Sequence, residues 1–469
     1  MWHFEAFGER TALINEQGQT FSYQALSEEG DKLSAAVGGR CLVMILCTNT
    51  PGSALGYTAL VNHHIVPVLV AAELDRTLLH HLMEQYQPDF LWAPEENASE
   101  FEGRAEHHAW GYCLIKTQWT KAFPIYDELA LLLTTSGSTG SPKLVRQSYV
   151  NLRANTESIV EYLHLDATEK PITTLPMNYT YGLSILNTHL YVGATVLMTE
   201  ASILQKEFWQ MFRTYGATSF GGVPYTYEML HKLRFLRMDL PTLRTMTQAG
   251  GKLSVELHEK FAEYAQQSGK NFVVMYGQTE ATARMAYLPP EKAIEKCGSM
   301  GIAIPGGKFH LIDVNGADIT EPDVPGELVY EGKNVTLGYA ESGEDLIRGD
   351  ERQGVLVTGD MAKVDADGYY YIVGRKKRFL KMFGSRVNLD ETERLIRSVF
   401  PSLDCACGGV DDKMFVFVTE ESQQETVRKY LNETLHLNSG AFHMIALSEI
   451  PRNDAGKTLY SALTSYYET

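Results

Sequence analysis

The feature that most constrains this chain is the alternation, over its first 290 residues or so, of short apolar runs with amphipathic stretches. Residues 41–47 (CLVMILC) and 65–72 are almost wholly apolar, as strands covered on both faces are. Residues 23–37 place Leu26, Leu33 and Val37 at helical spacing, and residues 77–87 read as a second helix. Residues 131–135 predict a strand running into a Gly/Ser/Thr turn. Residues 145–163, with Val150, Leu152, Ile159 and Leu163 apolar, predict a helix, and residues 272–275 a strand ending at Tyr276-Gly277. This order predicts an α/β fold with largely parallel sheets.

From about Cys297 the texture changes. Gly and Pro become dense and the strands at 308–312, 326–330 and 369–373 are short, which predicts a smaller, more antiparallel sheet or barrel. Asn388 and Glu391 stand at capping-box spacing before an apolar face of Leu395, Ile396, Val399 and Phe400. Strands at Val410 and 414–418 and a helix over 424–435 complete a compact α+β unit. At 469 residues the chain has room for two to four folding units. The boundary is expected at the basic cluster Arg375-Lys376-Lys377, giving domains over 1–376 and 377–469.

Charge narrows the function. With 41 basic and 58 acidic residues the net charge is −17, and no basic run exceeds Arg375-Lys376-Lys377-Arg378, so nucleic acid is not an expected partner. The cysteines (Cys41, Cys47, Cys113, Cys297, Cys405 and Cys407) lack zinc-ligand spacing and are expected to be reduced thiols. The N-terminal residues lack the pattern of a secretory signal, and no apolar run could span a bilayer. The expected compartment is the cytoplasm, without a membrane span.

Residues 134–143 carry the chemistry. The strand Leu131-Leu132-Leu133 leads into Thr134-Thr135-Ser136-Gly137-Ser138-Thr139-Gly140-Ser141-Pro142-Lys143. Glycines let backbone N–H groups close on a phosphate, hydroxyls add donors, and Lys143 adds a cation. A Walker A loop is excluded, because no Ser/Thr follows the lysine. The run resembles the phosphate loop T-S-G-[ST]-T-G-x-P-K of the adenylate-forming superfamily: acyl- and aryl-CoA synthetases, nonribosomal peptide adenylation domains and luciferases.

Further motifs match in the same order, from about residue 20 to 459. Tyr276-Gly277-Gln278-Thr279-Glu280 matches Y-G-x-T-E. The resemblance implies that Tyr276 stacks on adenine, Thr279 meets the α-phosphate and Glu280 binds Mg²⁺, a hard cation suited to a carboxylate. Gly250-Gly251 matches a glycine pair bordering the acyl and adenine pockets. Thr358-Gly359-Asp360 matches T-G-D, implying ribose binding by Asp360 with help from Arg375. The basic neighbours Lys376 and Arg378 also suit a solvated turn. Lys377 takes the hinge position, about which the family's small domain rotates. Lys457, in Pro451-Arg452-Asn453-Asp454-Ala455-Gly456-Lys457, takes the position of the catalytic lysine. Gly326-Glu327-Leu328 and Gly338-Tyr339 match as architectural elements.

The resemblance implies a large N-terminal domain of parallel sheets flanked by helices, with a small distorted β-barrel, and a small mobile α+β C-terminal domain. It implies a ligase that uses ATP and Mg²⁺ to convert a carboxylic acid to an acyl-AMP and then a thioester. The acceptor is coenzyme A or a phosphopantetheine arm. The rival readings are a free-standing adenylation enzyme loading an acyl or aryl carrier protein, and a nucleotide-binding protein without activity. Intact Lys457, Glu280 and Asp360 speak against the last. Tyr179, Tyr181, Gly222 and Val223 are the expected acyl pocket. Tyr179 stands where many relatives place a gate histidine. Thr180 stands where amino-acid-activating members place an aspartate, which disfavours an α-amino acid. Tyr460 replaces an arginine usual after the terminal Gly-Lys.

Overall fold

In the computed structural model the apolar run at 41–47 forms the strand Leu42–Cys47 in an eight-stranded sheet. Residues 1–119, 123–134, 143–376, 378–382, 385–410, 412–435, 437, 439–452 and 458–468 are described. The chain divides into two units, Met1–Lys308 with Tyr330–Leu356, and Phe309–Val329 with Val357–Thr469.

In the first unit, Phe90–Pro94, Leu42–Cys47, Val66–Ala71 and Leu129–Thr134 lie side by side and parallel. Val43, Ile45 and Cys47 enter one core, with the helices Tyr23–Val37 and Pro51–Asn62. Leu42, Met44 and Leu46 enter another, with the helix Arg76–Tyr86. Alternate side chains point to opposite faces, and both faces are covered, so every position must be apolar. The sheet's edges are antiparallel: Tyr112–Lys116 and Arg104–Ala109 on one side, Leu144–Ser148 and Gly338–Ala340 on the other.

Leu144–Ser148 corrects the sequence reading, which ran a helix from residue 145. Leu144 and Val145 are buried in the sheet, and the helix is Tyr149–Leu163. Ser148 caps it, accepting from Asn151 N while the Asn151 side chain accepts from Ser148 N. Val150, expected on the apolar face, is exposed.

A second sheet of the first unit runs Ser219–Gly222, Thr245–Gln248, Asn271–Tyr276, Ala286–Tyr287, Ile302–Ala303. Its first three strands are parallel and in register, with Gly222 opposite Gln248 and Gln248 opposite Val274.

The second unit contains most of a five-stranded sheet in the order Asp318–Ile319, Gly307–Ile312, Gly326–Gly332, Val355–Val364, Tyr370–Arg375. After it, Cys405–Val410, Lys413–Val418 and Phe442–Ala446 form a three-stranded sheet. Ile396 of the helix Leu389–Val399 and Val427 and Leu431 of the helix Gln424–Leu435 share a core with Val416 and Val418. The molecule is thus mixed α/β, with a larger sheet-and-helix part and a smaller C-terminal α+β part, as the sequence predicts.

Candidate active site

The three parallel strands of the second sheet release three expected site segments at one carboxyl edge: Gly222-Val223, Gly250-Gly251, and Tyr276 to Glu280. That edge is where open α/β sheets bind ligands. Gly250 has φ +83°, which a side chain would resist. Gly277 runs against the Ala283 carbonyl, where a Cβ would overlap it. Gln248 steadies the glycine turn by donating to Ala249 O and Gly251 O, at 3.2 and 2.9 Å.

Tyr179, Tyr181 and Val223 share one apolar cluster with Tyr162, Ala249, Val273 and Met275. The Tyr181 hydroxyl lies 2.7 Å from Thr247 Oγ1. Burial pushes its pKa up to about 12, so it stays protonated. Thr180 is buried and spends its hydroxyl on the Thr282 carbonyl, offering no charge to an ammonium group.

Thr134 ends its strand opposite Leu144, so Lys143 stands directly before the returning strand. Residues 135–142, the rest of the expected phosphate loop (Thr135, Ser136, Gly137, Ser138, Thr139, Gly140), lie outside the described residues, as do Lys377 and Lys457. The Lys143 ammonium sits 3.9 Å from the centre of the Tyr339 ring, and the Arg352 guanidinium 4.7 Å from it. The Tyr339 hydroxyl donates to Glu280 Oε1 at 2.7 Å. Burial and the Glu280 charge hold the Tyr339 pKa well above the ordinary range, keeping it a donor. The Glu280 carbonyl accepts from Thr336 N, Thr336 Oγ1 and Arg352 Nη1, at 3.0, 2.9 and 3.2 Å. Thr279 opens the single turn Thr279–Ala281 that carries Glu280.

Tyr339, read from the sequence as architectural, thus joins two expected site residues, and Arg352 was not singled out. Their partners lie far off in the chain, beyond the reach of local spacing. Among the described residues no group of three His, Cys, Asp or Glu forms a metal cage. A lone carboxylate fits Mg²⁺, which takes most of its ligands from water and phosphate.

In the second unit, Asp360 and Arg375 face each other across a strand pair, with Arg375 Nε 3.5 Å from Asp360 Oδ1. Lys376 pairs with Glu327 at 2.7 Å. Arg378, for which a solvated turn was considered, is largely buried. It donates to Asp390 (2.6 Å), Glu393 (2.5 Å) and Cys407 O (2.9 Å) and stacks 3.7 Å from the Tyr460 ring. Tyr460, in place of the usual arginine, donates to Glu393 at 3.0 Å and so belongs to this buried hub. All six cysteines are unpaired, and burial raises every thiol pKa, so none is an activated nucleophile.

Residues 2–340 match the family model described as AMP-binding enzyme, nearly three quarters of the chain. The chain belongs to this family of adenylate-forming enzymes. The chain is 30% identical over 275 residues to an oxalate–CoA ligase of Arabidopsis thaliana, covering 58% of this chain and 52% of that protein. It is 29% identical over 350 residues to the peroxisomal OPC-8:0-CoA ligase 1 of the same plant, covering 71% and 63%. It therefore spans between half and two thirds of the length of these two curated relatives. Among solved structures, an o-succinylbenzoate CoA synthetase of Bacillus subtilis, in complex with an acyl-adenylate intermediate, superposes with a TM-score of 0.78 at 21% identity. That match covers 98% of this chain and 97% of that one. That likeness establishes the fold over nearly the whole chain.

Proposed function

We propose that this adenylate-forming enzyme is an AMP-forming carboxylate–CoA ligase. The observation that carries the reading lies within the first unit: Gly250-Gly251 and Tyr276 to Glu280 leave one sheet edge, and Tyr339 joins Glu280 to Lys143. A carboxylate oxygen attacks the α-phosphorus of ATP in line, the bond to the β-phosphate oxygen breaks, and pyrophosphate leaves. Thr134 to Lys143 and Lys457 spread the charge of this transition state. Glu280, aimed by Tyr339, would hold Mg²⁺, which when bound neutralises phosphate charge. Tyr276 and the glycine pair are assigned to adenine, and Asp360 with Arg375 to ribose.

In the second step a thiol sulfur attacks the acyl carbon, AMP leaves, and the thiol proton is lost. Rotation of residues 377–469 about Lys377 is the proposed switch between the steps. The named relatives are CoA ligases, which favours coenzyme A over a carrier protein. Unpaired cysteines suit a reducing compartment such as the cytoplasm.

The test is acid-dependent ATP–pyrophosphate exchange across a panel of acids, followed by competition between CoA and a holo-carrier protein. Exchange, with the acyl group ending on CoA, is the expected result. Lys457→Ala should cut exchange by about 100-fold or more while leaving the melting temperature unchanged. No exchange and no AMP with any acid would defeat the reading.

A further inference from the structure

Arg284 is 3% exposed, and among the described residues no carboxylate neutralises its charge. Its Nε donates to Ser184 Oγ at 3.2 Å, and its Nη1 to Tyr162 OH and Met275 Sδ at 3.3 Å each. The guanidinium also lies over the Tyr181 ring at 5.2 Å. Among the described residues no carboxylate pairs with it, no backbone carbonyl accepts from it, and Nη2 makes no hydrogen bond.

The chain supplies its own contrast. Arg146, equally buried, pairs with Glu351 and donates to the carbonyls of Leu337, Tyr339, Arg348 and Gly349. Arg378 pairs with Asp390 and Glu393. Those are arginines that complete a fold. A buried cation given only two hydroxyls, a thioether and a ring is costly, and the missing element is an anion.

The backbone fixes where this cation stands. Asn155 and Asn334 both donate to Arg284 O, at 2.8 and 3.2 Å. Two residues earlier, Thr282 sits at φ +68° and ψ −63°, and Ala283 N donates back to Ala281 O, closing a three-residue turn. A β-branched residue rarely adopts that conformation, and such strain collects at functional sites. The turn directly follows Glu280 and sets the Arg284 guanidinium over the ring of Tyr181, a residue of the expected acyl pocket. Ser184 also lines a cavity of about 10 Å³, the space of a single water, with Asn155, Thr180 and Thr282.

We propose that Arg284 receives a second carboxylate on the acid, so that the substrate class is dicarboxylic acids, one carboxylate being adenylated and the other held by Arg284, which Ser184 and Tyr162 position by accepting from its Nε and Nη1. A hydrogen bond from a guanidinium to a carboxylate is charge-assisted, and Nη2 supplies the N–H groups for it. This inference rests on the carboxylate–CoA ligase reading.

The test pairs acids of matched shape in the exchange assay: hexanoate with hexanedioate, and phenylacetate with 4-carboxyphenylacetate. The wild-type enzyme should favour the diacid of a pair by about 100-fold in kcat/KM, because a monoacid leaves the buried charge unmatched. Arg284→Met should level that preference chiefly through KM, and Arg284→Lys should keep part of it. The melting temperature of Arg284→Met should not fall, since an uncompensated buried charge is removed.

Equal or better use of monoacids by the wild type overturns the inference and leaves the ligase reading standing. If no acid supports exchange, the ligase reading fails by itself. Calorimetric titration of 4-carboxyphenylacetate then decides the anion site. Binding at least about 10-fold weaker in Arg284→Met supports it, and equal binding overturns it.

Discussion

Glu280 is held by a residue 59 positions away: the Tyr339 hydroxyl donates to its carboxylate, and Lys143 and Arg352 stack on the same ring. A hydrogen bond to a charged group contributes about 1.5–3 kcal/mol, so Tyr339→Phe should lower the exchange rate by about 10–100-fold. The loss should shrink as Mg²⁺ is raised, because the hydroxyl acts by aiming the carboxylate. Exchange measured against Mg²⁺ concentration checks this, and a Mg²⁺-independent loss would mean that Tyr339 acts elsewhere. Motif residues such as Thr279, Glu280 and Asp360 could be singled out because the motifs that carry the family resemblance are short and local. Tyr339, Arg352 and Arg284 were not, because each is defined by neighbours that only the fold supplies. Gly338-Tyr339 was read from the sequence as architectural, and its contacts with Glu280 and Lys143 come from the fold.

Elements were legible where one period decided them. Residues 41–47 could only be a strand buried on two faces. Residues 144–148 (LVRQS) mix apolar and polar positions because Arg146 is buried with carbonyl and carboxylate partners, so the run mimics the start of the helix that follows it. The capping pair Ser148 and Asn151 was the available signal for the true start.

The helix Thr180–Tyr191 permits a prediction of its own. His189 is buried, donates through Nδ1 to Ile185 O at 2.8 Å, and among the described residues its Nε2 has no partner. Burial lowers its pKa from 6.5 to about 4. The folded state therefore resists a proton that the unfolded chain accepts. Stability is unaffected above pH 6.5 and is lost as pH falls from 6.5 toward 4. At 1.36 kcal/mol per unit, the 1.5 units between 6.5 and pH 5 cost about 2 kcal/mol. His189→Asn should lose that much less stability than the wild type between pH 7.5 and pH 5, read by urea unfolding. Parallel losses would show that His189 does not titrate on unfolding.

At the scale of the molecule, the α+β character of the C-terminal part followed from its element order, whereas the division of the chain did not. The compact units part at 308/309, 329/330 and 356/357, since the strands Gly326–Gly332 and Val355–Val364 run between them and spacing alone cannot show that. Arg375, Lys376 and Arg378, which flank the proposed hinge at residue 377, belong to the second unit. Hydrogen bonds between described residues on the two sides of residue 377 include Arg375 N donating to Asp390 Oδ2 at 3.2 Å and Arg378 N to Arg375 O at 2.9 Å. A rotation about this residue must exchange such bonds for others, which requires backbone freedom at that position. Proline fixes φ near −65° and removes an N–H, so Lys377→Pro should hold the segment in one orientation. If the two steps need different orientations, one half-reaction should survive within about tenfold and the other fall by about 100-fold or more. Exchange reports the first step, and single-turnover transfer from preformed acyl-AMP to CoA reports the second. Equal losses in both would remove Lys377 as a hinge while leaving adenylation itself intact.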